Sequence, residues 1–170
     1  MESKVEDVKK REETAKSTIN NYVLASMATG LIPIPIIDLF ALIGIQLKMV
    51  HSLADCFNVR FTQSLGKSII ASLLGSVLPV SFAPLIGSLV KLIPLVGSTT
   101  SVLSLPVVSG AATYATGKIF LQHFASGGTL LDFDPEKMRD YYTELLKEGK
   151  TVASELKDSQ SKKEKTVIEH

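Results

Sequence analysis

Tryptophan is absent, cysteine occurs once, at Cys56, and charge is almost missing from the middle of this 170-residue chain. A lone cysteine excludes an intramolecular disulfide framework and leaves a cytoplasmic setting as the default. The net charge of +1 lacks the basic excess needed to neutralise phosphates, so no nucleic-acid partner is expected. The first 21 residues are polar and mixed in charge, without the apolar stretch and small-residue cleavage site of a signal peptide. Between Tyr22 and Gly117, 96 residues, only Asp38, Lys48, Asp55, Arg60, Lys67 and Lys91 carry formal charge. A water-exposed helical domain interleaves charge along each surface helix. Here charge is pushed to both ends, so the middle is expected to be covered by lipid or to form the core of a larger assembly.

No alternating strand pattern occurs, and the chain reads as all-α. Residues 1–21 form a charged helix start, with Glu6, Asp7, Glu12 and Glu13 near Lys9, Lys10, Arg11 and Lys16. That helix is predicted to run on to Gly30, where Leu31-Ile-Pro33-Ile-Pro35 breaks it. A second helix is expected from about Ile36 to Phe57, ended by a left-handed Asn58. A third, capped by Thr62 or Ser64, should stop before Pro79, with a connector at 80–84 and a short helical piece at 85–93. Residues 98–124 form a longer helix notched by Pro106 and closed by Ala125-Ser-Gly-Gly. The hydrophobic helical domain therefore spans 22–128. Asp134-Pro135-Glu136 has the order of a helix start, so an amphipathic C-terminal helix is assigned to 129–157, with Gly149 a point of interruption. Residues 158–170 read as a disordered tail.

Two uncharged runs, 68–90 and 92–117, each match the ~20 apolar residues that cross a bilayer. Pro79, Pro84, Pro94 and Pro106 cut them into pieces of roughly ten residues, which rise only about 15 Å. Proline- and glycine-broken hydrophobic hairpins forming a membrane-associated helical bundle fit this pattern. If the middle inserts, the flanking charges put both termini on the cytoplasmic side of a bacterial inner membrane. Ala71 and Gly75, and Ser109, Thr113 and Gly117, fall at four-residue spacing and are expected to line close helix contacts. Leu31-Ile-Pro33 and Leu92-Ile-Pro94, with Gly97 shortly after, read as helix-break motifs of two helix–break–helix units.

Chemistry-bearing residues are sparse. Gly66-Lys67-Ser68 has the end of a phosphate-binding loop, but Phe61 stands where the motif's first glycine belongs and no strand precedes it. Lys48, His51 and Asp55 share one helical face, as either an ion-binding cluster or a solvated stripe. Asp38 is the only charge between Tyr22 and Leu47, either a costly functional carboxylate or a helix cap. No catalytic constellation, cofactor site or metal-ligand spacing is recognisable, and no enzymatic activity is expected.

The order of Leu31-Ile-Pro-Ile-Pro-Ile-Ile-Asp38, Gln46 to Met49, Leu53-Ala54, Ile93-Pro94, Gly97, Ala111-Ala-Thr-Tyr-Ala-Thr-Gly117 and Phe120 resembles the YcjF-like bacterial hydrophobic domain family of unknown function. The resemblance covers about residues 18–128. It implies a membrane-associated helical partner of a small GTPase. This chain carries no GTPase domain, so such a partner would be a separate polypeptide. The expectation is a non-enzymatic scaffold or adaptor that contacts membrane lipid and forms a homo-oligomer. Two alternatives stand beside it: a pore or transport element framed by broken helices around Asp38 and Lys91, and a soluble bundle or oligomer binding an apolar ligand.

Overall fold

A computed structural model describes the backbone of residues 2–29, 35–81 and 99–168, with side chains described at 6–28, 40–76 and 105–162. Among the described residues the chain is all-helical: α1 (Glu2–Thr29), α2 (Pro35–Cys56), α3 (Gln63–Ser81), α4 (Thr99–Ala125) and α5 (Arg139–Ile168). The helix-break residues Pro33, Pro94 and Gly97, together with Lys91 and the helical piece at 85–93, lie outside the described residues.

The hydrophobic pattern explains the packing. On α1, Ala15, Ile19, Val23 and Met27 recur every four residues and are buried, while Lys9, Lys10, Arg11, Glu13 and Lys16 face water. On α5, Tyr142, Leu145, Leu146 and Ala153 form the matching stripe. Between them lies α4, buried on every side from Gly110 to Gly117. Its contacts with α1 and α5 dominate the tertiary structure, and α2 covers a further side. The second uncharged run therefore divides: residues 110–117 are shielded by charged helices of the same chain, so no lipid is needed to explain them. No helix among the described residues is long and apolar enough to cross a membrane.

Helix direction follows from the contacts. Ile19 meets Gly117 and Met27 meets Gly110, so α4 runs antiparallel to α1; Ala153 also meets Gly110, so α5 runs parallel to α1. The end of α1, the starts of α2 and α4 and the end of α5 thus lie towards one end of the bundle. In chain order, residues 30–34 stand between α1 and α2 and residues 82–98 between α3 and α4. The short helix α3 packs on α2, the start of α5 and, more lightly, α4.

Both described turns at the other end close with the same device. Asn58 (φ 56°) and Gly127 (φ 86°) adopt the left-handed conformation after α2 and α4. The Val59 and Gly128 amides then donate back to the Ala54 and His123 carbonyls, at 2.8 and 2.9 Å. These bonds satisfy carbonyls that a helix end leaves open.

Four boundaries differ from the sequence expectation. Helix α3 continues through Pro79 to Ser81, because the carbonyl deprived of its amide belongs to Gly75, which is exposed to water. Asp134 caps a turn, accepting the Glu136 and Lys137 amides at 3.1 and 3.4 Å, and the regular helix starts only at Arg139. Gly149 does not interrupt α5. Finally, α5 runs to Ile168, past the boundary at 157; Asp158 and Lys162 stand at the four-residue spacing that favours a solvated helix.

Candidate functional site

The buried polar groups converge at the centre of the bundle. Ser109, Thr113 and Thr116 recur along α4 at helical spacing, inside a run that otherwise offers only apolar and small side chains. Gln46 of α2 meets them: its amide nitrogen lies 3.5 Å from the Thr113 hydroxyl, and the Thr116 hydroxyl donates to its carbonyl at 3.0 Å. Thr116 also lies 3.5 Å from the phenol of Tyr142 on α5, which donates to the Ala112 carbonyl at 3.4 Å. From α1, Ser26 donates to its own Val23 carbonyl at 2.8 Å and approaches the Ser109 carbonyl at 3.4 Å. Four helices are thus tied together by one neutral polar seam.

Burial pushes the Tyr142 hydroxyl well above the ordinary tyrosine range. The seam contains no carboxylate, imidazole or amine, so it carries no charge at neutral pH and has no group poised for proton transfer. Its physical effect is positional. Removing either partner leaves buried polar atoms unpaired, at about 1–3 kcal/mol per group, so the seam ties α2 to α4. Beside it, Tyr114 donates to the Glu148 carboxylate at 2.5 Å. Burial first, and Glu148 second, raise that phenol too.

The structure separates the expected site residues. Asp38 lies in the first turn of α2, three residues after Pro35, the first helical residue; its side chain falls outside those described. Lys48 is exposed. His51 and Asp55 form a water-exposed pair at 3.7 Å, with the imidazole stacked on Phe61 at 4.5 Å. No group of His, Cys, Asp and Glu among the described residues is arranged to hold a metal ion.

The small residues also divide. A Cβ at Gly117 would fall 2.7 Å from Ile19, and one at Gly110 would meet Met27 and Ala153 at 2.8 and 2.9 Å. Thr113 is buried in the seam and Ser109 contributes its carbonyl. Ala71 and Gly75, by contrast, are exposed on α3, and nothing lies within 4 Å of a Cβ at Gly75. The expectation that these two line a helix contact is corrected within this chain, because the buried face of α3 is Ile69, Ile70, Leu73 and Leu74. Gly75 instead borders an open groove of about 500 Å³ with Ser72, Ser76, Pro135, Glu136 and Arg139.

Sequence reasoning missed a second ordered cluster, in the turn from α4 to α5. The ring of His123 bonds the Thr129 carbonyl at 2.8 Å, and Asp132 accepts both the amide and the hydroxyl of Thr129. Phe133 stacks on Phe120 at 4.7 Å, anchoring the turn, while Leu131 at its tip is exposed. The signal was local: Thr129 followed three residues later by Asp132 offers reciprocal side-chain bonds to the backbone.

Comparison with known proteins agrees with this architecture in extent. Residues 2–151 match a domain of unknown function, DUF697. The chain is 38% identical over 148 residues to "Magnetosome membrane protein 22" of Magnetospirillum gryphiswaldense, an alignment covering 86% of this chain and 76% of that protein. No solved structure matches. The match takes in α1 to α4 and α5 as far as Thr151, and on that extent the chain belongs to the DUF697 family of domains of unknown function.

Proposed function

We propose that this protein is a non-enzymatic, membrane-associated helical scaffold or adaptor, which assembles with itself and partners a separate small GTPase. The observation that carries the membrane part is the uneven distribution of apolar sequence along the chain. Residues 30–34 and 82–98 contain a single charge, Lys91. The turn from α4 to α5 is polar and capped by its own side chains. Charge-poor sequence of this kind suits lipid, and the described α4–α5 turn suits water. The name of its magnetosome relative supports the same location.

A scaffold role is supported by the character of the core. The seam fixes geometry without offering reactive groups, as suits a part whose task is to hold a shape. Self-assembly is supported by the smooth outer face of α3, where Ala71 and Gly75 allow close approach of another helix. The GTPase partner rests on the resemblance of the apolar motifs alone.

Fractionation tests this reading. The chain expressed alone in bacteria should sediment with membranes and stay there through a high-salt wash, since apolar attachment is not screened. Release by salt, or recovery in the soluble fraction, would refute membrane association. Size measurement in mild detergent with and without a candidate GTPase then tests assembly and partnering.

A further inference from the structure

Three large apolar side chains are exposed among the described residues: Val8, Phe40 and Leu131. Val8 stands between Asp7 and Lys9, and Leu131 beside Asp132. Of the three, Phe40 alone stands in an uncharged stretch, residues 40–47. It opens the outward face of α2, which continues through Gly44, Lys48, His51 and Asp55, all exposed. Ala41, Ile43, Ile45 and Leu47 flank the first half of that face and are half-buried. A Cβ at Gly44 would meet nothing within 4 Å, so the face is open at its middle.

The next level of the same surface is basic. A Cβ at Gly66 in α3 would fall 3.1 Å from both Leu47 and Phe61, and Phe61 stacks on His51 at 4.5 Å. The start of α3 and the chain leading into it therefore close against α2 at Leu47. Lys48, Arg60 and Lys67 each adjoin one of these contact residues in sequence, and all three are exposed. None of them pairs with a carboxylate among the described residues. Asp55, the one acid between positions 40 and 76, is engaged by His51. Phe40 and Lys48 are eight positions apart, roughly 12 Å along the helix at 1.5 Å per residue.

We infer that this face of α2 and α3 enters an anionic phospholipid surface, with Phe40 among the acyl chains and Lys48, Arg60 and Lys67 at the level of the headgroups. This contact deepens the membrane-associated reading and rests on it. Moving an exposed phenyl ring from water into hydrocarbon is favourable. An interfacial helix buries its apolar face about 5–10 Å deep, a depth that the rise from Lys48 to Phe40 covers. Long basic side chains keep their stems along apolar surface and their charge among the phosphates, with an attraction that decays within a Debye length. Three unpaired cations against one paired acid match an anionic layer, whereas the exposed charges of α1 and α5 mix both signs. One ring and three separated cations suit a layered surface, acyl chains beneath phosphates, better than a single pocket.

The chain contains no tryptophan, so Phe40→Trp places a single indole in the contact and Leu131→Trp places one in the α4–α5 turn. Each full-length variant is reconstituted into vesicles of phosphatidylcholine and phosphatidylglycerol, with and without bromine on the acyl chains. The indole at position 40 should be quenched by brominated lipid and shielded from aqueous acrylamide, while that at position 131 should be quenched by acrylamide alone. Absence of bromine quenching at position 40 would overturn the inference. If that indole were also shielded from acrylamide, a second copy of the chain would cover the face instead. A variant carrying K48Q, R60Q and K67Q should bind these vesicles on the order of tenfold more weakly at low salt, with unchanged helical content. Unchanged affinity would overturn the headgroup assignment. Failure of the wild type to sediment with the vesicles at all would overturn the membrane reading beneath it as well.

Discussion

Gly149 of α5 lies directly on the backbone of Ala111 in α4: a Cβ at Gly149 would fall 2.8 Å from the Ala111 carbonyl oxygen and 2.9 Å from its Cα. A flexible side chain moves aside, as Ile19 can before Gly117, but a helix backbone does not. Gly149→Ala should therefore destabilise the fold by about 2 kcal/mol, the overpacking cost exceeding the roughly 1 kcal/mol that alanine gains in helix propensity. Gly75→Leu, facing open space, should leave monomer stability unchanged. Urea denaturation distinguishes the two; equal behaviour would contradict the crossing described for α4 and α5.

The polar seam makes a second prediction. Gln46→Leu removes the contact of Thr113 and the shorter bond of Thr116, which should cost about 1–3 kcal/mol. Tyr142→Phe removes only bonds of 3.4 and 3.5 Å and should cost about 1 kcal/mol or less. If Tyr142→Phe proved the more damaging in thermal unfolding, the centre of the seam would lie on α5 and not at Gln46.

Asp132 and Asp134 give a pH dependence with a definite sign. Hydrogen bonds lower both carboxyls in the folded chain, so each stabilises above its unfolded value, near 3.9, and that contribution fades as pH falls through the lower folded value. Asp132→Asn should flatten the loss of stability below about pH 4. The check is the midpoint of urea unfolding followed from neutral to acid pH in both proteins. Identical slopes would show that the turn bonds add nothing.

Asp38 stands at the fourth residue of α2 and not before its first, a position where negative charge favours the helix dipole. Asp38→Asn and Asp38→Ala should then lose stability alike, by about 0.5 kcal/mol. A loss near 1 kcal/mol confined to the alanine variant would reinstate it as a cap. Failure of both folded variants to reach the membrane would mark the charge itself as functional.

Much of the fold was legible from periodicity. The ends of α1 and α2, the left-handed Asn58 and the stop after Ala125 all follow from where apolar spacing meets residues that tolerate a break. Helix interiors were harder to read. Gly149 reads as an interruption in one dimension, and only the crossing with Ala111 shows why no side chain fits. Ala71 and Gly75 have the same spacing as Thr113 and Gly117 but face the other way, because spacing fixes a shared face and not its neighbour. The seam escaped notice because threonine and glutamine are common, and their pairing spans up to 70 positions between Gln46 and Thr116. The uncharged middle had two explanations, lipid or protein cover, and α1 and α5 supply the second for residues 110–117.

The central proposal is that this chain associates with a membrane. The most direct measurement is the size distribution of the purified full-length chain as detergent is withdrawn. The account predicts loss of a monodisperse species once detergent is gone and its recovery on adding phospholipid vesicles. A monodisperse, fully folded protein in plain buffer would contradict it.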